Sequence, residues 1–215
     1  MNTQKKSGPP ARKTFHHGNL RKALLEAGIA LARDGGPQAV VLREATRRAG
    51  VAPNAAYRHF SSHNDLLQAV RTAAIASLAL AIEAEIAAAP RSKRPAESAR
   101  ERLRAVGRGY LKFALAESGL FRTAFSVSDR VEDDLDAAKA GRSGLNPFQL
   151  LGQALDRLVE TGVLPKTRRP GAEYLAWSAV HGLAYLIIEG PLGAATDKEI
   201  RALSERVLKM VENGL

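Results

Sequence analysis

The sequence predicts an all-α chain, with a small N-terminal helix-turn-helix domain of three helices followed by a larger helical domain. Three observations carry this. Apolar residues recur at helical spacing along most of the length. No stretch alternates apolar and polar residues, and β-branched residues are sparse. Helix starts and stops (Asn, Ser/Thr-x-x-Asp/Glu, Gly, Pro) recur at helix-length intervals. With 215 residues, 45% of them hydrophobic, the chain has enough apolar material for a packed core.

The elements follow in order. Residues 1–14 form a basic arm, with Lys5, Lys6, Arg12 and Lys13 around Ser7-Gly8-Pro9-Pro10. Asn19 is placed to cap a first helix bearing Leu20, Leu24, Ala27 and Leu31, which Gly35-Gly36-Pro37 ends. A short helix over Leu42–Ala49 turns Ala45 and Ala49 inward. Gly50 breaks it, and Val51 points back to the core. Pro53, with φ already suited to a helix start, opens a second short helix running to Phe60.

Ser62-His63-Asn64-Asp65 then caps a long Ala/Leu-rich helix reaching about Ala89. Pro90–Pro95 separates it from a helix over Glu97–Glu117 with Leu103, Val106, Tyr110 and Phe113 on one stripe. Gly119 interrupts, and a short Leu120–Val127 segment follows. Asp129–Gly144 reads as the least ordered loop. Further helices are predicted over Pro147–Glu160, over Glu173–Glu189 and, after a Thr196-x-x-Glu199 capping box, through Ile200, Leu203, Val207 and Val211. That makes roughly nine helices.

Composition removes several classes of function. Without cysteine there is no disulfide, thiolate nucleophile or iron–sulfur cluster, and a reducing, cytoplasmic compartment fits. The longest uncharged run, Tyr174–Ile188, is shorter than the ~20 residues of a spanning helix, so no membrane span is expected. His16, His17, His59 and His63 lack carboxylates at ligand spacing, so no metal is expected. Gly107-x-Gly109 lacks a strand and a third glycine. Glu132-Asp133-Asp134 with Asp136 reads as a solvated acidic loop. No catalytic constellation and no cofactor site is expected.

The formal net charge is +10, and residues 1–60 hold eleven Lys/Arg against three Asp/Glu. A net +8 in that stretch is either a solvated face or an electrostatic footprint for nucleic-acid phosphates. The helix opened by Pro53 bears on the choice. With Ala56 inward at the origin, Phe60 falls at about 40°, Asn54 at about 160° and Arg58 at about 200°. Asn54 and Arg58 therefore point outward, with Ala55 and Tyr57 flanking them. Asn suits adenine, Arg suits guanine or phosphate, and a Tyr hydroxyl suits phosphate. An exposed Asn and Arg alone would say little; within a basic helix-turn-helix they favour DNA.

The run Leu42-Arg43-Glu44-Ala45 … Ala49-Gly50-Val51-Ala52-Pro53-Asn54-Ala55-Ala56-Tyr57-Arg58-His59-Phe60, with Asp65-Leu66-Leu67 after it, resembles the DNA-binding domain of the TetR family of transcriptional regulators. The resemblance implies a DNA-binding domain over residues 15–62 and a helical ligand-binding and dimerisation domain over 63–215. It implies DNA contacts from Arg43, from Pro53, Asn54 and Ala55 at the start of the recognition helix, and from Tyr57, His59 and His63, to which the wheel adds the outward Arg58. Two positions depart from the family pattern. His63 stands where Lys is usual, and Ala52 stands where a capping Ser is common. Phe15-His16-His17-Gly18-Asn19-Leu20 and Trp177-Ser178-Ala179-Val180-His181-Gly182 are similar to a subgroup with a Trp…His-Gly signature. The family likeness further implies a cytoplasmic homodimer joined through the last two helices, a double-stranded DNA operator, and a repressor released by a small-molecule effector rather than an enzyme.

Trp177, His181 and Tyr185, at i, i+4 and i+8, form one stripe that faces either a core or subunit interface or a ligand pocket. Tyr110, Phe113, Phe121, Phe125 and Phe148 are the other pocket candidates. An enzyme or carrier with an incidental basic head, and a non-specific nucleoid protein, are the competing readings.

Overall fold

The computed structural model describes residues 17–90, 92–127 and 136–215, with side chains from residue 20 onward. The described residues form nine α-helices and no strand: α1 (His17–Gly35), α2 (Leu42–Ala49), α3 (Pro53–Ala56), α4 (His63–Ala88), α5 (Pro95–Ala116), α6 (Ser118–Ala124), α7 (Pro147–Glu160), α8 (Ala172–Ile188) and α9 (Asp197–Gly214). One-turn 3-10 helices lie at Pro37–Ala39, Ala137–Lys139 and Lys166–Arg168. The all-α architecture is as the periodicity predicts. The basic arm of residues 1–14 and Phe15-His16 lie outside the described residues.

The head consists of α1 to α3. Leu20, Leu24 and Leu31 of α1 bury against Val40, Leu42, Ala45, Ala56 and Phe60. Gly50 makes the turn with φ at 68°, a left-handed conformation that costs glycine nothing sterically. Ala52 offers no side-chain cap to α3, in keeping with the departure noted at that position.

α4 is the axis of the molecule. Ser62 accepts from the Asp65 N–H at 3.1 Å. The Asp65 carboxylate reaches back one residue further than a standard capping box, to the N–H and hydroxyl of Ser61. Leu66 and Val70 pack on α1 at Gly28, while Leu78 and Ile82 face the body. By length and composition alone α4 could cross a membrane. Counting uncharged runs missed it because Arg71 and Glu83 interrupt its apolar stretch. Its contacts with α1, α5, α6 and α7 account for the apolarity.

α5 packs closest to α4 at Gly109, where an added Cβ would stand 2.5 Å from the Ile82 Cα. α7 opens on a full capping box between Asn146 and Gln149, and α9 on the predicted one between Thr196 and Glu199.

Two expectations are corrected, and a third falls partly outside the described residues. α1 starts at His17, so Asn19 lies in its first turn and not at its cap. α3 is one turn long and does not reach Phe60, because Tyr57–His59 form a turn that carries the Phe60 ring into the core. The loop expected to be least ordered falls partly outside the described residues, at 128–135. Its second half is fastened to α4, where the Glu83 carboxylate accepts the Arg142 N–H at 2.8 Å, the Ser143 N–H at 2.9 Å and the Ser143 hydroxyl at 2.6 Å.

The α4–α5 approach yields a stability test. Gly109→Ala should destabilise the fold by about 1–3 kcal/mol in urea titrations, since backbone must move to admit the methyl group. An unchanged or raised midpoint would mean the two helices are not so close.

Candidate functional site

In the head, Ala56 is 0% and Phe60 2% exposed, which anchors α3 and fixes its outward face. Asn54 and Arg58 are exposed, as are Arg43, Pro53 and His63. Tyr57 is 58% exposed, an unusual placement for a large ring. Ala55 and His59 are half-buried.

The arginines of α2 and of the turn after α3 divide into two sets. Arg47 pairs with Glu44 at 2.6 Å and Arg48 with Asp34 at 2.9 Å, so those charges are largely matched within the chain. The guanidinium groups of Arg43 and Arg58 make no ion pair or hydrogen bond with any described residue. Arg43 engages only through its backbone, its carbonyl accepting from the buried Thr46 hydroxyl at 2.6 Å. The head thus presents two uncommitted guanidiniums with an Asn and a Tyr, a set that binds phosphate and base edges.

A second site lies in the body. Helices α4 to α9 all contribute to a cavity of about 420 Å³, within the range that takes small organic molecules. Tyr110, Phe125, Phe148, Trp177 and His181 line it. Phe121 stands behind that wall, edge-on to Tyr110 at 5.7 Å and 5.3 Å from His181. Phe113 is buried elsewhere in the core, and Tyr185 is 58% exposed on the far side of α8. The supposed single stripe of Trp177, His181 and Tyr185 therefore divides. A spacing of four overruns the helical turn by about 40° each time, so Tyr185 lies about 80° from Trp177.

The structure adds Arg71, Arg104, Lys139 and Asn146 to the lining, together with aliphatic residues such as Ile82 and Leu151. Of these only Asn146 left a local trace in the sequence, as an Asn-Pro pair ahead of a helical run.

The polar centre of the cavity is a three-residue relay. Trp177 Nε1–H donates to the Tyr110 hydroxyl at 3.0 Å, and that hydroxyl lies 2.7 Å from His181 Nδ1. Tyr110 is 5% exposed, and Nδ1 is the only acceptor a described residue offers its proton. The hydroxyl therefore donates to Nδ1, which places the imidazole proton on Nε2. Burial pushes the Tyr110 hydroxyl well above the usual tyrosine range, against a smaller opposing pull from the Trp177 N–H. Burial also lowers the His181 pKa, which keeps the ring neutral and Nδ1 free to accept.

Two family models match. The model described as "Bacterial regulatory proteins, tetR family" covers residues 24–70, and "Tetracyclin repressor-like, C-terminal domain" covers residues 103–211, half of the chain. No curated protein matches. Among solved structures, a protein of unknown function from Rhodococcus sp. RHA1 is similar at TM-score 0.73 and 23% identity, over 95% of this chain and 99% of that one. A protein described as a tetR family transcription regulator, from Shewanella sp. PV-4, is similar at TM-score 0.61 and 16% identity, over 90% and 96%. PfmR, a TetR family regulator from Thermus thermophilus, is similar at TM-score 0.51 and 22% identity, over 86% and 97%. These three likenesses concern the fold. With a helix-turn-helix head matched by one model and a helical body matched by the other, the chain belongs to the TetR family of DNA-binding transcriptional regulators.

Proposed function

We propose that the chain is a cytoplasmic, sequence-specific homodimeric repressor, released from a palindromic operator by a small molecule, and not an enzyme. The carrying observation is the outward face of α3, with Asn54 and Arg58 exposed and Arg43 uncommitted beside the helix-turn-helix turn. On this reading residues 1–14 are an arm, 15–62 the DNA-binding domain and 63–215 the ligand-binding and dimerisation domain. Pro53, Asn54 and Ala55 meet base edges, Arg58 reads guanine or phosphate, and Arg43, Tyr57, His59 and His63 hold the backbone.

The second copy is assigned to the outer face of α8. Leu175, Ser178, Gly182, Tyr185, Leu186 and Glu189 are exposed along one side, with Leu175 at 62% and Tyr185 at 58%. An added Cβ at Gly182 would meet nothing within 4 Å in this chain, so the glycine leaves room for a neighbour. The Trp…His-Gly subgroup is supported by the division of labour on α8: Trp177 and His181 face inward to Tyr110, and Gly182 faces outward.

Two outcomes test this reading. After selection of duplexes from a random pool, Asn54→Ala and Arg58→Ala should each weaken binding to the recovered site by about 1–3 kcal/mol, with unchanged helicity. Arg43→Ala should weaken binding to all sequences alike and lower the salt slope by about one. Retention of full affinity in all three, by fluorescence anisotropy, would overturn this docking.

Gly182→Leu should yield a monomer in light scattering with the far-ultraviolet spectrum of the parent. It should bind a two-half-site duplex weakly, because paired half-sites are read by paired heads. A dimer in Gly182→Leu would move the interface elsewhere.

A further inference from the structure

The cavity has a directional polar group that constrains what enters it. Trp177 donates to Tyr110, and Tyr110 donates to His181 Nδ1. The relay therefore ends at Nε2–H, and no described residue accepts that proton. His181 is half-buried and lines the cavity. A ligand that meets Nε2 in that space has to offer an acceptor, or leave a desolvated donor unmatched.

Charge restricts the ligand further. No Asp or Glu lines the cavity among the described residues, so none of these would supply a buried cation with a counter-charge. The cations on the lining are engaged within the chain. Arg104 is held by Glu101 at 3.0 Å and Glu212 at 3.2 Å, and Arg71 donates to Gln68 at 2.6 Å and to the Val127 carbonyl at 3.0 Å. Lys139 likewise has a partner of its own. At Arg104 a buried anion would have to displace a carboxylate. Apart from Asn146, whose side-chain oxygen accepts the Gln149 N–H at 2.9 Å, the remaining wall is hydrocarbon and aromatic ring.

We propose that the cavity selects an uncharged, compact, mainly apolar molecule bearing one hydrogen-bond acceptor, such as a ketone, ester or lactone carbonyl, received by His181 Nε2–H. The inference rests on reading the cavity as the effector site.

Four probes of one size test it: cyclooctanone, cyclooctane, cyclooctanecarboxylate and cyclooctylammonium. Trp177 is the only tryptophan in the chain and lies in the cavity wall, so its emission reports occupancy directly. Titration of the full chain should rank the ketone about fivefold tighter than the hydrocarbon, the worth of one neutral hydrogen bond. Both ions should bind more weakly than the ketone. His181→Met keeps a weak acceptor for the Tyr110 hydroxyl and removes the Nε2 donor; there the ketone and hydrocarbon should bind equally. His181→Gln restores an N–H and should restore the preference. The ranking on the unaltered chain is decisive whether or not the variants fold.

Tightest binding by the carboxylate or the ammonium would overturn the uncharged class and leave the effector cavity standing. A ketone preference that survives in folded His181→Met would overturn the role of Nε2. Binding by none of the four would overturn both the inference and the effector reading, while operator binding by the head is measured separately and is unaffected.

Discussion

The fold depends on one rigid helix belonging to two cores. α4 runs for 26 residues, a rod of about 39 Å. Its first turns bury Leu66 and Val70 against α1 in the head; its later turns bury Leu78 and Ile82 in the body. A three-helix head of this size has little apolar surface of its own to bury, so its first helix leans on α4. The same α4 side chains Leu78 and Ile82 line the cavity. The head is therefore mounted on a cavity wall, and a change in that wall is a change in the head's support.

A second connection runs through α6. The backbone at Gly119 approaches the Ala32 and Arg33 carbonyls at the end of α1 so closely that a Cβ there would collide with both oxygens. Arg33 closes the joint on Glu117 at 2.6 Å. Two residues past Gly119, Phe121 packs on Tyr110 and His181 behind the cavity. Head and cavity thus meet twice, once through a long helix and once through a short one wedged between them. Allosteric coupling needs such a link to exist in two arrangements, and a contact with no spare room is suited to that, since it shifts as a unit or not at all.

How far the sequence revealed this depended on distance along the chain. The interior side of α3 was legible because Ala56 and Phe60 are four residues apart and one helical wheel holds both; its length was not, since the turn at Tyr57–His59 answers to the core that Phe60 enters. The capping residues Ser62 and Thr196 were legible for the same local reason. The cavity was half legible. Aromatic residues announced themselves by type, but Phe113 and Tyr185 were grouped with it wrongly, and Arg71, Arg104 and Lys139 were missed. Six helices build that space, and membership depends on which side of each helix faces the others. The relay joins positions 67 and 71 residues apart, a separation no window can register.

α8 draws these threads together because it has no idle face. Its inner side supplies Trp177 and His181 to the cavity, and its outer side leaves Leu175, Gly182 and Tyr185 to solvent. On the proposed reading one helix, about 10 Å across with its side chains, would stand between a bound molecule and a second copy. This also explains why the helix is apolar nearly all round and carries no charge between Glu173 and Glu189. A helix covered on one side only would be apolar on one stripe. A helix shared by a cavity and an interface must be apolar on both, and Gly182 is the one position where its cylinder is thinned to let another backbone approach. Ligand and partner would then act on a common element, so that whatever reorients α8 from within is felt at the two-fold axis that sets the distance between the two heads.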